Sequence, residues 1–411
     1  DYDNYNQDVE FIELNQEIKV LGIKKLNENL QFTFEDEKEE IINYNEDIEI
    51  KTLGKVCEFQ NGYSFKSTDY EKQNNTNIGI VQIKSIQNGF IDTKKITEYI
   101  KEDKKYTLFE IQEGNILIGL TGSFKIGIYN LQQKSYLNQR VAIINAKNGI
   151  NQKYIYYWYI CFNIEKYILE NLATGVAQPN ISTNDISLIK IPIPSLEKQN
   201  EIVEYLDFIY EKSIKSSNEK IEDIKKVNKY YLNLNIKFNK EIEIKTLGNV
   251  CEFLPKTKKL QAKDGLITGL YNFYTSSQNK LLFINECEYN DYSIIIGRGG
   301  SASIHYDKKF SISHDDVYVI KNTNININLK FIYYYLKLNI NLLQNGFNGA
   351  VIKHISKEYL NLIKIPIPSI EKQIKIVEYL DFNNDLIKNL EKEIEINKIA
   401  ANDFMKMALC K

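Results

Sequence analysis

The sequence predicts an α+β chain: two β-rich mixed domains separated by two long helices that pair antiparallel as a coiled coil. Three observations carry this reading. Two stretches recur almost unchanged in each half of the 411 residues, the segments they enclose differ, and each recurrence runs into about forty residues without proline. A chain of this length accommodates two or three domains.

The first recurrence is Glu49-Ile-Lys-Thr-Leu-Gly-Lys-Val-Cys-Glu-Phe59, which returns as Glu243-Ile-Lys-Thr-Leu-Gly-Asn-Val-Cys-Glu-Phe253 with ten of eleven residues identical. The second is Leu188-Ile-Lys-Ile-Pro-Ile-Pro-Ser-Leu-Glu-Lys-Gln-Asn-Glu-Ile-Val-Glu-Tyr-Leu-Asp-Phe208, which returns at Leu362–Phe382 with eighteen of twenty-one identical. The offsets are 194 and 174, so the enclosed segments differ in length by twenty residues. Repeats of this kind decide the architecture before any single residue does. Identical frames around divergent contents point to one docking surface and two different things read. The predicted organisation is an acidic extension or linker over 1–48, a first domain over 49–195 and a first spacer helix over 196–242. A second domain over 243–369 and a second spacer helix over 370–411 follow.

Ile191-Pro-Ile-Pro-Ser195 and Ile365-Pro-Ile-Pro-Ser369 read as extended, because a residue before proline avoids the helical region. Ser195 and Ser369 then stand where helix N-caps belong, each followed by Glu-Lys-Gln. Apolar residues continue at near-heptad spacing: Val203, Leu206, Tyr210, Ile214, Ile221, Ile224, Tyr231 and Leu234. The second copy gives Val377, Leu380, Ile387, Leu390, Ile394, Ala401, Phe404 and Ala408. Each is one seam on a long helix. Antiparallel pairing is favoured because both helices need a long partner; two helices packed separately on their own domains is the alternative.

Within the inserts, Ile78–Ile83, Asn115–Leu120 and Arg140–Asn145 read as strands, with turns at Gly89, Gly114 and Gly122. Residues 151–170 read as a short aromatic helix, its tyrosines Tyr154–Tyr159 serving as core rather than as a base-stacking platform. The second insert repeats the order: strand Ser293–Ile296, turn Gly297-Arg-Gly-Gly300, strand Asp316–Ile320, helix Leu329–Leu338. Ala173-Thr-Gly175 and Asn348-Gly-Ala350 stand before Ile181-Ser182 and Ile355-Ser356, with Gly175 and Gly349 at equal offset from the isoleucines.

Composition excludes several classes. The chain is 43% hydrophobic and 26% charged. No apolar run is long enough to span a bilayer, and no signal peptide is expected. The five cysteines (Cys57, Cys161, Cys251, Cys287, Cys410) form no C-x-x-C pair, so a reducing, cytoplasmic setting is expected. His305, His314 and His354 lack metal-ligand spacing. The net charge of −2 is unevenly spread. Residues 1–51 carry 15 acids and 5 bases, residues 52–195 carry 16 bases and 12 acids, and residues 246–369 carry 14 bases and 9 acids. The two domains are therefore the basic regions, which permits phosphate contact; ordinary lysine-rich surface is the alternative. The six prolines form no Asn/Asp-Pro-Pro-aromatic methyltransferase motif, and no Walker loop, H-E-x-x-H or G-x-S-x-G occurs. No catalytic residue, metal site or bound cofactor is expected.

Frame, insert, Ile-Pro-Ile-Pro-Ser and Glu-Lys-Gln helix, twice over, resemble the specificity subunit of type I restriction–modification systems. Asn61-Gly-Tyr-Ser-Phe-Lys66, Ile80-Val-Gln-Ile83 and Asn88-Gly89 are similar to the start of its target recognition domains. Ile294-Ile-Ile-Gly-Arg-Gly-Gly-Ser301 with Ser313-His-Asp-Asp-Val317 is similar to their later strand–turn–strand signature; Ile116-Leu-Ile-Gly-Leu-Thr-Gly122 and Asn138-Gln-Arg-Val141 take those places more loosely. The resemblance implies a non-catalytic subunit that reads a bipartite site on double-stranded DNA and directs methyltransferase and restriction subunits to it. The methyltransferase would bring S-adenosylmethionine. Residues 1–48 have no counterpart in the repeat; the chain starts at Asp1 and reads as a piece of a longer product, with 1–48 a linker or the tail of a fused domain such as a methyltransferase. The C-terminal specificity region of a single-chain enzyme, or a helical scaffold whose inserts bind protein, are the alternatives.

Arginine pairs bidentately with guanine, and Asn or Gln with adenine. Only two arginines occur, Arg140 and Arg298, each read as lying at a turn entering a late strand. Both are assigned to base edges, with Gln139, Gln178, His314, Asp315 and Lys353 as lesser candidates in matching places. The Gly297-Arg-Gly-Gly300 turn would present Arg298 to DNA; a purely structural turn is the alternative. Lys66, Lys84, Lys125, Lys256, Lys258 and Lys259 are the phosphate candidates, the group from Lys256 to Lys259 having a solvated loop as its alternative.

Overall fold

The computed structural model describes residues 44–45, 48–74, 76–175, 178–237, 242–277, 282–324, 326–349 and 353–410. The expectation for 1–48 therefore falls almost wholly outside the described residues.

Each domain is closed by its own frame. Glu49–Thr52 pairs antiparallel with Lys190–Ile193, Glu49 opposite Ile193 and Thr52 opposite Lys190. Glu243–Thr246 pairs with Lys364–Ile367 in the same register, Glu243 opposite Ile367 and Thr246 opposite Lys364. The prolines fit because a two-stranded ribbon has free edges where a missing N–H goes unnoticed.

The first insert folds into a six-stranded sheet and a three-stranded sheet. The six-stranded sheet runs Cys57–Asn61, Val141–Ala146, Ile116–Gly119, Ile126–Ile128, Gly89–Ile91, Ile86–Gln87. The second insert has a four-stranded sheet, Cys251–Phe253, Val317–Asn322, Ser293–Gly297, Ile304–Asp307, beside a three-stranded one. The hairpin Ile86–Gln87 with Gly89–Ile91 has no counterpart in that second sheet. Gly89 turns it at φ 105°, a conformation that a side chain disfavours. The aromatic helix of the first domain is shorter than expected. Gln152–Cys161 stops ahead of Asn163, whose φ is 49°, and the chain resumes at Ile164–Tyr167. Tyr154, Tyr156, Tyr157 and Tyr159 are all buried in the core.

The first spacer helix runs from Leu196–Asp207 through a π segment, Phe208–Ile214, into Lys215–Lys237. The second is a single helix, Ile370–Leu409, of 40 residues. Ser195 caps the first by accepting from the Lys198 N–H at 3.2 Å. Ser369 holds the same backbone conformation without accepting such a bond. The helices are antiparallel, as contacts along their length show. Tyr205 meets Phe404 and Tyr231 meets Tyr379, each with ring centroids 4.0 Å apart. The seam departs from the expected apolar residues. Leu234 is 37% exposed, and the buried positions include Ser217 and Asn228. Ser217 and Asn228 stand in heptad step with Ile214, Ile221, Ile224 and Tyr231, and Leu232 is buried in place of Leu234.

Both helices serve both domains. Ile202, Val203 and Leu206 share the first core with Ile387, Ile394, Ala401, Met405 and Leu409 of the second helix. Leu232 shares the second core with Ile376, Val377 and Leu380. The second helix ends against the start of the first frame, where Asn45 N–H donates to the Leu409 carbonyl at 3.0 Å.

Candidate nucleic-acid interface

The residues repeated in the frames lock each domain to the helix pair. Gln199, 1% exposed, accepts from the Asn151 N–H at 2.9 Å and donates to the Pro194 carbonyl at 2.9 Å. Gln373, fully buried, accepts from the Asn328 N–H and donates to the Pro368 carbonyl, each at 2.8 Å. Asn151 and Asn328 are the N-caps of the two aromatic helices. Further along, Asp207 takes the Lys153 ammonium at 2.8 Å and the Tyr157 hydroxyl at 2.5 Å. Asp381 takes Lys330 at 2.7 Å and the Tyr334 hydroxyl. Glu-Lys-Gln and Leu-Asp-Phe are thus repeated because each frame makes the same clamp.

At one end of each large sheet three segments converge. In the first domain Gly119 faces Val141, and Leu120 N–H donates to the Arg140 carbonyl at 2.9 Å. The turn that follows is tied to the segment before Ile181: Gly122 N–H donates to the Pro179 carbonyl at 2.7 Å and Ile181 N–H to the Leu120 carbonyl at 3.1 Å. Gly122 takes φ 71°. The third segment joins when Gln139 N–H donates to the Tyr63 carbonyl at 2.9 Å. Gln139, Arg140 and Gln178 all come to this end, and all three are exposed. Arg140 Nη1 donates to Thr121 Oγ1 at 3.3 Å, and Thr121 donates to Asn180 Oδ1 at 2.6 Å.

The second domain repeats three of these bonds. Arg298 N–H donates to the Asp316 carbonyl at 2.8 Å, Gly300 N–H to Lys353 at 3.0 Å and Ile355 N–H to Arg298 at 3.0 Å. Leu120 therefore corresponds to Arg298, and Arg140 to Asp316. The expectation that both arginines enter a late strand is corrected for Arg298. It leaves Ser293–Gly297, because Gly297 already faces Val317. The two arginines approach equivalent junctions from opposite strands. Arg298 Nη1 donates to the Asp315 carbonyl at 3.0 Å, and His314 Nδ1 lies 3.0 Å from Asp315 Oδ1. Lys353 is exposed beside them.

The lysines divide. Lys66 and Lys259 are exposed, and Lys125 is half-buried just past the first-domain turn. Lys84 is held by Glu98 at 2.8 Å and Thr97 at 2.7 Å, and Lys258 by Glu286 at 2.6 Å. Lys256 is half-buried and donates to the His314 carbonyl. Burial, then the nearby Arg298 and Lys357 charges, hold its ammonium below the usual lysine range. Sequence reasoning missed Lys357, Tyr318 and Thr121. Lys357 was within reach: it follows Ser356 where the other half has Thr183 after Ser182, a divergence at the frame edge.

Among the described residues no group of three His, Cys, Asp or Glu side chains is placed to hold a metal, and no helix is long and apolar enough to cross a membrane.

Residues 45–226 and 239–396 match the family described as the type I restriction modification DNA specificity domain. The chain is 29% identical to the type I restriction enzyme MjaVIII specificity subunit of Methanocaldococcus jannaschii over 237 residues, which spans about half (54%) of each chain. It is 27% identical to the putative MjaX specificity subunit of the same organism, covering 92% of this chain and 97% of that one. In fold it is similar to the type I restriction-modification S subunit from M. genitalium, with a TM-score of 0.52 at 17% identity over 92% of this chain and 98% of that one. With two family matches, one on each frame and its insert, this chain belongs to the type I restriction-modification DNA specificity family.

Proposed function

We propose that this chain is the non-catalytic reader of a bipartite DNA site, with one half-site read at each sheet end. The carrying observation is that identical clamps, Gln199 with Asp207 and Gln373 with Asp381, fix two different junctions to one helix pair. Phosphate contacts set register on the duplex, and base-edge contacts set sequence. Arg140, Gln139 and Gln178 read the first half-site; His314, Asp315 and Lys353 border the second. Lys66, Lys125 and Lys259 serve phosphates. Methyltransferase subunits dock on the helix pair and bring S-adenosylmethionine, and a restriction subunit joins the same complex. The free thiols accord with a reducing, cytoplasmic setting.

The test is to express the chain with its methyltransferase partner and map modified adenines in the cellular DNA. Two short half-sites with a fixed unread gap are expected. A continuous site, or no modification above the partner alone, overturns the reading. Exchanging residues 254–361 for a relative's insert should change one half-site only.

A further inference from the structure

We propose that Lys256, Arg298 and Lys357 form a single phosphate-binding site on the second domain, built on the ring of Tyr318, and that the first domain has no equivalent. The proposal rests on the DNA-binding reading above and assigns Arg298 to the backbone rather than to a base.

Three cations surround one aromatic ring. The Arg298 Cζ is 4.9 Å from the Tyr318 centroid, Lys357 Nζ 5.7 Å and Lys256 Nζ 5.9 Å. Lys357 Nζ also lies 5.1 Å from the Phe253 centroid, and that ring packs edge-on against Tyr318 at 5.4 Å. Facing cations relieve some repulsion on an aromatic face, but one ring does not neutralise three charges. The nearby carboxylates Asp315 and Asp316 offset part of this charge at Lys256, but their hydrogen bonds go elsewhere. Asp316 accepts from the Ser313 hydroxyl, and Asp315 lies against His314. Among the described residues no ion pair joins any of the three cations to a carboxylate. Arg298 Nε is buried without a hydrogen-bond partner, which in a folded protein calls for an explanation such as a missing ligand.

The missing partner is a charged acceptor. A guanine edge offers two acceptors and no net charge. Arg298 has already committed Nη1 to the Asp315 carbonyl and its face to Tyr318, so its fork is not free to project as a base reader. Two ammonium groups beside a guanidinium suit the several oxygens and full charge of a phosphodiester. The crowding also depresses the Lys256 ammonium, after burial, and a bound phosphate would relieve it. In the first domain Arg298, Tyr318 and Lys357 correspond to Leu120, Ala142 and Thr183, and the frame offset sets Gly62 opposite Lys256. None carries a charge, so the two domains grip DNA differently although their frames are the same.

The test uses the full chain and a random-sequence duplex, titrated across a salt series. Arg298→Gln, Lys357→Gln and the double variant are compared with the unaltered chain, each checked for folding by circular dichroism. Each single variant should weaken binding and flatten the salt slope. The double variant should lower the slope by about one unit in total, because one phosphate is shared. A loss of about two units or more means separate contacts and overturns the single site. An unchanged slope, with the unaltered chain still binding, overturns the site and leaves the DNA-binding reading standing. Relaxation at one base position with the slope unchanged returns Arg298 to base reading and also overturns it. If the unaltered chain binds no duplex, both readings fail. Should Arg298→Gln unfold, the exposed Lys357→Gln carries the comparison alone.

Discussion

Asn383 donates its side-chain amide to the side-chain carbonyl of Asn228 at 2.6 Å, in the buried seam between the two spacer helices. A buried polar pair in an apolar seam fixes register at some cost in stability. Asn228→Leu alone leaves the Asn383 amide without its partner. That should destabilise by about 1–3 kcal/mol, the range for orphaning a buried polar group. Replacing both by Leu should recover that loss. Urea denaturation of the three variants checks this; a double variant no more stable than the singles would count against it.

The Gln clamps carry a parallel expectation. Gln373→Leu orphans the Asn328 N–H and the Pro368 carbonyl, and Gln199→Leu orphans the Asn151 N–H and the Pro194 carbonyl. Since the partners and distances match, the two variants should lose similar stability, about 1–3 kcal/mol each. Each should loosen its own domain first, read as faster amide exchange in Leu329–Leu338 or in Gln152–Cys161 respectively. Equal loosening of both domains by either variant would mean the frames are not independent.

Much of this fold was legible because repetition supplied its own check. Ile-Pro-Ile-Pro-Ser, read twice, placed a strand and a helix start, and the periodicity of Val377 to Ala408 placed the second helix. The π segment Phe208–Ile214 was not legible, since the extra residue per turn leaves no mark in an apolar pattern read by heptads. Asn228 was left out because the seam was read from apolar residues alone, although it stands seven residues after Ile221; Leu234 was drawn in where Leu232 is the buried residue. At the site, the sequence located the strand–turn–strand junctions but not the strand to which Arg298 belongs. That depends on which residue faces Val317, a register set by pairing across the sheet. Lys357 and Tyr318 went unseen because their meeting with Arg298 joins segments distant in sequence.

The buried thiols set a limit at alkaline pH. Burial pushes Cys57, Cys161 and Cys251 up to about 12, from an ordinary value of 9.0. Their folded pKa values lie above the unfolded ones. Their contribution is therefore fully present below the unfolded pKa and is lost as pH rises toward the folded one. Stability should fall progressively between about pH 9 and about pH 12. A Cys57→Ala, Cys251→Ala variant should show a shallower decline, measured as denaturation midpoint against pH. An equally steep decline would assign it to other groups. At neutral pH these three thiols should resist alkylation while the half-buried Cys287 reacts.

Spacer length should set the gap between half-sites. At about 1.5 Å per residue, seven residues of helix span about 10.5 Å, or about three base pairs. The contacts Tyr205–Phe404 and Tyr231–Tyr379 define which residues face each other. Removing 215–221 together with 389–395 therefore shortens both helices at matching positions. The expected product reads the same two half-sites with a gap shorter by about three base pairs. Changed half-sites, or an unchanged gap, would contradict a rigid spacer. Both are read by mapping modified adenines.

Arg140 provides the sharpest separation between reading a base and holding the backbone. It is exposed, and among the described residues its one side-chain hydrogen bond is the 3.3 Å bond from Nη1 to Thr121 Oγ1, a neutral and easily exchanged acceptor. Among the described residues it makes no ion pair and lies over no ring, so unlike Arg298 its fork is free to project. A bidentate arginine–guanine contact contributes about 1–3 kcal/mol of discrimination. Arg140→Ala should therefore relax one base position in the first half-site, leave the second unchanged and preserve the thermal midpoint. Affinity for random-sequence duplex should fall little. Thr121→Val, which removes the hydroxyl that steadies the guanidinium, should weaken the same position more mildly. The measurement is binding to a panel of duplexes, each altered at one position, at fixed salt. If Arg140→Ala weakens specific and random duplex equally and flattens the salt slope by about one unit, Arg140 holds a phosphate. Gln139 and Gln178 would then carry the first half-site without it.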